Sequence, residues 1–238
     1  MRMRSRKRAG LAGVLSLAIT GAATVPVAAQ TTAQGTLVTV TPAPVAPAAA
    51  PARLPRTRID VGHRRLHVKL SRDVVVRGTV RPRVRGARLL LQAHVGGRWK
   101  TLDRVRTRAR GRYTLSARPT TPVSAPVRVL VRRAAALRPA RRTLGRVNVY
   151  RVALASWYGP GLYGNRTGCG GRLGYGSVGV AHKSLPCGTK VTFRHRGRSI
   201  RVPVIDRGPY VGAREYDLTA SAARRIGFNG HGAILATR

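Results

Sequence analysis

Three side chains able to move a proton stand near the C-terminus, His182, Asp206 and Asp217, each beside glycine turns and aromatic residues. They lie in the segments VAHKSLPCGT, VIDRGPYVG and YDLTASAARRIG. The chain holds only 6 carboxylates, so two of them this close together, beside a histidine, are candidates for acid and base work. A general acid must keep its proton near neutrality, whereas a model Asp titrates at about 4. Desolvation against Tyr210 and Trp157 would raise the Asp206 pKa, and pairing with Arg207 would lower it. Neighbouring residues of an extended strand point to opposite faces, so Arg207 need not touch the Asp206 carboxylate. Each group also has a structural reading. Asp206 can serve the Asp-Arg-Gly-Pro turn, His182 can be a hydrogen-bonded barrel histidine, and Asp217 can cap N–H groups of a helix near Thr219.

Around these groups, Trp157, Tyr158 and Tyr210 are candidates for a sugar platform, because an aromatic face covers the apolar face of a pyranose while a polar tip reaches its hydroxyls. Barrel core is the competing role for all three. Gly159, Gly161, Gly164, Gly170 and Gly171 either let backbone approach a chain ligand or simply turn loops. The chain's 2 cysteines, Cys169 and Cys187, are expected to pair in an oxidising compartment, where closing a loop of this size contributes roughly 3 kcal/mol in the chain-entropy model. Two cysteines without a clustered His pair make a poor zinc centre, so neither a metal nor another cofactor is expected.

Composition limits the partners. Lys and Arg number 46 against 6 Asp and Glu, a formal charge of +40 carried almost wholly by arginine. Such a surface binds polyanions in a salt-dependent way. The N-terminus argues against nucleic acid, because MRMRSRKR, the apolar run LAGVLSLAITGAA and the small residues Val27-Ala28-Ala29 read as an export signal over residues 1–29. The apolar run is too short and too interrupted for a span, which needs about 20 residues. No cysteine follows it to carry a lipid. A secreted or cell-wall protein is expected, with no stable membrane span after signal cleavage and with anionic wall polymers as a possible partner.

The elements that must position the candidate site divide by texture. Residues 30–56 are an Ala/Pro-rich linker without period, a semi-rigid spacer. Over residues 57–150 the runs RLHVKL, DVVVRGTV, RLLLQAHV, WKTLDRVRT, RYTLSAR, VRVLVRR and RVNVY alternate with Arg on the outer positions, with Gly96-Gly97, Arg110-Gly111 and Pro119 to Pro126 as punctuation. About seven strands of this kind predict an antiparallel β-sandwich. Its Asp60, Asp73 and Asp103 stand singly, its histidines are isolated, and no chemistry is assigned to it. Its arginines form either a solvated face or a wall-polymer contact. Residues 151–238 supply strand candidates VALASWY, VGVAH, KVTFRH, SIRVPVID and GAILATR, a hairpin at Arg196-Gly197-Arg198, and one short helix in TASAARRIGF between a Thr219 cap and a Gly227 stop. The chain is therefore read as all-β, with one or two short helices.

The ordered motifs ASWYG, AHKSLPCGT, VIDRGPY and YDLTASAARRIG resemble the double-psi β-barrel domain of the rare lipoprotein A (RlpA) family over about residues 152–237, with more distant similarity to expansins and family 45 endoglucanases. The resemblance implies a six-stranded double-psi β-barrel and action on peptidoglycan glycan strands by lytic transglycosylation. In that reaction an acid protonates the glycosidic oxygen and the sugar's own 6-hydroxyl closes an anhydro ring, with no cofactor. Asp206 matches the aspartate of the DRGP motif and would be the general acid. His182 matches the AH histidine and would orient Asp206 or bind substrate, and Asp217 matches the aspartate of the expansin DLS-type motif. A glutamate that catalytic members carry upstream of the histidine falls on Gly171. The alternative is therefore a non-catalytic, expansin-like wall-binding or wall-loosening module. Trp157, Tyr158, Tyr210 and Arg207 are the candidate substrate contacts. The sandwich resembles immunoglobulin-like modules of exported actinobacterial proteins. No glycan-binding repeat is recognisable after the barrel, so the sandwich is expected to supply localisation.

Overall fold

A computed structural model describes residues 54–134 and 136–238. The expected export signal and most of the expected Ala/Pro-rich linker lie outside the described residues.

Alternating apolar and Arg residues fold the first part of this region into two sheets. β1 (Arg58–Arg65), β3 (Val74–Arg81) and β6 (Arg112–Ala117) form a three-stranded antiparallel sheet. Facing it, β5 (Arg98–Arg106), β4 (Arg88–Val95), β7 (Val123–Val131) and β8 (Ala140–Tyr158) are ordered β5-β4-β7-β8, while the short β2 (His67–Lys69) runs parallel to β8. Ile59, Val76, Val80 and Leu115 from the first sheet and Leu89, Leu91, Val127, Val129 and Val147 from the second are buried in one core. The expected alternation thus holds, with arginines outward. Two details differ from the expectation. The β2–β8 pair is parallel, and Pro126 lies inside β7 rather than between strands. It sits beyond Ala93↔Val127, the last β4–β7 pair, where β7 has only β8 as a ladder partner. A residue without an N–H is tolerated at such a position.

The second part closes on itself. β9 (Val180–His182), β10 (Lys190–His195), β11 (Arg198–Asp206), β12 (Tyr216–Thr219) and β13 (Gly232–Ala236) join the end of β8 in the order β8-β13-β10-β11-β9-β12, and β12 pairs back to β8. Six strands therefore make a barrel without a free edge, the arrangement that leaves no ladder group unpaired. The β10–β11 hairpin turns at Arg196 (φ 44°) and Gly197 (φ 84°), the paired positive dihedrals of a tight two-residue turn. Small residues Ala153, Ala155, Ala222 and Ala236 leave room in the barrel core for Phe193 and Tyr216, whose rings meet edge to face at 5.0 Å.

α1 (Ala220–Ile226) packs against this core. Its ends follow from single residues. The Thr219 hydroxyl accepts from Ala222 N–H at 3.3 Å, and Gly227 ends the helix at φ 66°, where Phe228 N–H reaches Ala223 O at 3.0 Å.

β8 is one strand of 19 residues common to both cores. Val147 and Val149 belong to the first, Ala153 and Ala155 to the second. Between them Tyr150 is fully buried, its hydroxyl 2.9 Å from His67 Nδ1. The boundary expected at residues 150/151 falls within this strand. Residues 147–150 are all buried, so the alternation that marks a one-sided strand is lost there and the segments RVNVY and VALASWY read as two. Because a break in β8 opens both cores, calorimetry should show one cooperative transition for residues 54–238, with matching calorimetric and van't Hoff enthalpies. Two resolved transitions would contradict the shared strand.

Candidate functional site

The registers of four strands bring the candidate carboxylates into one row. Asp206, the last residue of β11, pairs with Ala181 of β9. Ala181 in turn pairs with Asp217 of β12, and Asp217 with Ser156 of β8. Register partners share a face, so Asp206, Ala181, Asp217 and Ser156 follow one another across the sheet, and the methyl of Ala181 is all that stands between the two carboxylates. Both line a cleft of about 240 Å³ with Tyr158, Leu162, Asn165, Arg166, Thr167, Leu173 and Arg207.

The glycine-rich loop after β8 forms the other wall. Gly168 N–H donates to Asp206 Oδ1 at 2.7 Å, and Arg207 N–H donates to the same oxygen at 2.8 Å. Only glycine allows this approach, because a Cβ on residue 168 would lie 2.6 Å from Arg207 Cγ. The next residue, Cys169, is disulfide-bonded to Cys187 with Cα atoms 5.6 Å apart. The bond ties the loop to the segment after β9. Arg207 holds that segment from below: its guanidinium donates to His182 O at 3.2 Å and Leu185 O at 2.9 Å and lies 2.8 Å from Cys187 Sγ. Its side chain is therefore directed away from Asp206 and is engaged with backbone, although it still borders the cleft.

His182 is not brought to Asp206. Ala181 faces the cleft, so its neighbour points to the opposite side of β9. There the imidazole Nδ1 accepts from Ser184 N–H at 3.1 Å and Leu185 N–H at 3.0 Å, and the ring packs on Tyr216 at 5.0 Å. Burial lowers its pKa, with Arg151, Arg207 and Lys183 adding to the effect and Glu215 opposing it. Nδ1 is thus the unprotonated nitrogen of a neutral ring that braces a turn, and the expectation that His182 orients Asp206 has no geometric support. Glu215 pairs with Arg151, which holds its carboxyl below the usual range.

Asp217 does not cap α1; Thr219 does. Instead Asp217 Oδ1 accepts from the Ser156 hydroxyl at 2.8 Å, and that hydroxyl accepts from Arg214 at 2.9 Å. Burial raises the Asp217 pKa. The Ser156 bond and Arg214 pull it down, while the Asp206 charge pushes it further up. Tyr158 points into the same space. Burial raises its phenol strongly, and the neighbouring Asp206, by its charge and by a side-chain hydrogen-bond contact, and then Asp217 add to the effect.

Of the expected aromatic contacts, Tyr158 alone lines the cleft. Trp157, 37% exposed, and Tyr210, 75% exposed, lie outside its lining. They therefore do not desolvate Asp206 as expected. The sequence reading also missed Ser156, Arg214 and the wall residues Leu162, Asn165, Arg166, Thr167 and Leu173. The polar triplet Asn165-Arg166-Thr167 between glycine turns was the one available signal. Among the described residues no group of three His, Cys, Asp or Glu side chains could hold a metal, and no helix is long and apolar enough to cross a membrane.

Residues 151–236 match a family model described as "Lytic transglycolase". A protein of Synechocystis called "Probable endolytic peptidoglycan transglycosylase RlpA" is 43% identical over 105 residues, 40% of this chain and 33% of its own length. The "Endolytic peptidoglycan transglycosylase RlpA" of Campylobacter jejuni is 44% identical over 75 residues, 31% of this chain and 27% of its own. A similarly named Aquifex aeolicus protein is 40% identical over 87 residues, 36% and 38% of the two chains. The chain thus spans well under half the length of these curated relatives.

Two measurements check the site's construction. Reducing Cys169–Cys187 should cost about 3 kcal/mol, a fall in Tm of about 6–12 °C; an unchanged Tm would deny the bond its place in the loop. Asp217→Asn should raise Tm at neutral pH, because a carboxyl whose folded pKa is raised contributes stability that is lost as pH rises through that value. The gain should vanish at pH values below the ordinary aspartate pKa of 3.8. A variant less stable than the parent at neutral pH would overturn the assignment.

Proposed function

From residues 151–236, which form an RlpA-like double-psi β-barrel domain, we propose that this chain is an exported, extracytoplasmic protein acting on peptidoglycan glycan strands by lytic transglycosylation. One observation carries the reading. In a chain with 46 Lys and Arg, Asp60, Asp73 and Glu215 are each paired to arginine and Asp103 accepts from the Arg104 and Ser116 backbone. Among the described residues Asp206 and Asp217 have no guanidinium partner within ion-pair distance, and these two share a cleft. A carboxylate closed into an ion pair is held charged, whereas one left out of such a pair, even with Arg166 and Arg207 bordering its cleft, retains its capacity to exchange protons.

Asp206 and Asp217 act together on the bond to be broken. The acid protonates the glycosidic oxygen as the C1–O bond breaks, and the 6-hydroxyl of the same sugar then attacks C1 and returns its proton to the pair. Asp206 meets the substrate and is the proton donor. Its orientation is fixed by the Gly168 and Arg207 N–H groups. Asp217, deeper and held by Ser156, keeps a proton to higher pH than an ordinary aspartate, and the Asp206 charge adds to that effect. Tyr158, which lines the cleft beside Asp206, is the substrate contact nearest the reacting bond. The sandwich, read as immunoglobulin-like, positions the barrel at the wall.

A second reading is favoured by Gly171, which occupies the position of the catalytic members' glutamate. Its φ of +80° strains any side chain placed there, and it supports an expansin-like module that binds or loosens the wall without cutting it. Incubation with purified sacculi separates the two. Catalysis predicts soluble anhydro-muropeptides, with Asp206→Asn and Asp217→Asn each slowing release by about 10²-fold or more. Retained binding with no soluble product from the parent protein selects the second reading.

A further inference from the structure

The outer face of the β5-β4-β7 sheet carries a groove of about 560 Å³. Its charge is arranged across the strands. Arg88 of β4 stands directly opposite Arg106 of β5, and Arg132, just past β7, donates its N–H to Arg88 O at 3.1 Å. Three arginines thus lie side by side on adjacent strands, about 5 Å apart from one backbone to the next. Arg104 stands opposite Leu90, which is itself opposite Leu130, so the next row is one arginine beside an apolar floor. At the far end Arg128 lies 3.8 Å over the Trp99 ring and donates to Gln92 Oε1 at 3.0 Å. Among the described residues no carboxylate pairs with this set. Asp103 lies on the other face of β5, opposite the core residue Leu91, and Asp60 and Asp73 are held by other arginines.

Like charges directly opposite across a ladder are destabilising, so an anion that sits between them removes a cost as well as making bonds. A phosphodiester keeps two unesterified oxygens and one charge, which match a guanidinium fork, and a chain of them presents such charges one after another along a line, as the arginines of adjacent strands do. The Leu90 and Leu130 floor suits the uncharged links between successive phosphates. Stacking of bases needs open aromatic faces, and Trp99 is already covered by Arg128. We infer that this groove binds a linear phosphodiester polymer of the cell envelope. The choice of an envelope polymer rests on the extracytoplasmic reading above; the site itself does not, and its test uses no peptidoglycan.

The full chain is titrated with synthetic poly(glycerol phosphate), with poly-glutamate and with a single-stranded oligonucleotide of matched charge. Poly(glycerol phosphate) should bind most tightly. Converting Arg88, Arg104, Arg106 and Arg132 to Gln should weaken it about 10-fold or more and lower the slope of log affinity against log salt by about 3. A control with Arg56, Arg77, Arg112 and Arg225 converted to Gln, all exposed and outside the groove, loses the same charge and should weaken binding by less than about 3-fold. Equal losses in the two variants would reduce the effect to diffuse charge and overturn the site. Tighter binding of poly-glutamate or of the oligonucleotide would overturn the ligand class. Should the fourfold variant not fold, Arg106→Gln alone serves: it gives up a single 3.2 Å side-chain bond to Gly86 O and should still weaken poly(glycerol phosphate) binding. A variant that leaves binding unchanged refutes the groove.

Discussion

The double pairing of β12 is the constraint on which the cleft depends. Four residues long, it runs parallel to β8 on one side and antiparallel to β9 on the other. That closure puts Asp217 in register with both Ser156 and Ala181, and through Ala181 with Asp206. A slip of one residue would send Asp217 into the barrel core and Tyr216 or Leu218 into the cleft. The buried Tyr216 and Leu218 on either side of it oppose such a slip, since both are fully buried against Phe193 and the alanines of β8. Core packing therefore sets the chemistry of the cleft.

Much of this was legible in the sequence, and the limits are physical. The alternation of Arg with Val and Leu marked the strands ahead of the barrel, and Thr219 with Gly227 bracketed the helix correctly, because both signals are local. The ordered motifs gave the barrel. β12 escaped as a strand because four residues hold too few alternations to register, and because YDLT also reads as the approach to a helix. The side on which His182 stands depends on the parity of β9 relative to Asp206, which is set by a register shift between Val204 and Asp206. No local pattern encodes that shift. For the same reason Trp157 and Tyr158, adjacent and chemically alike, were equal candidates until strand geometry separated them.

Loop and disulfide show a division of labour that charge alone does not suggest. Arg207 follows Asp206 directly and offers the guanidinium expected to neutralise it, yet it binds two backbone carbonyls instead. Its backbone N–H, not its side chain, serves the carboxylate. The cation is thus consumed in fixing the segment that Cys187 joins to the glycine loop, and the loop in turn supplies Gly168 N–H to Asp206. A neutral, bulkier residue at 207 would leave the Leu185 carbonyl without its donor. A side chain at 168 would collide with residue 207. The two positions are therefore coupled, and a change at either displaces an N–H donor of the Asp206 carboxylate.

The basic groove and the carboxylate cleft belong to one ladder. β7 floors the first, pairs along β8 as far as Val149, and β8 then continues for nine residues beyond that point to line the second through Tyr158. No flexible linker separates them, so an anionic polymer held in the groove would restrict where the cleft can search. Flexible tethering gives a second site an effective concentration that falls with linker length; a shared strand removes that variable and replaces it with a fixed direction. Catalytic or not, a barrel so mounted would meet only glycan within reach of the polymer that anchors it. Under this arrangement raised salt would release the protein from the wall by screening the arginines, while the cleft, whose two carboxylates are partly buried and bonded to Gly168, Arg207 and Ser156, would keep its geometry.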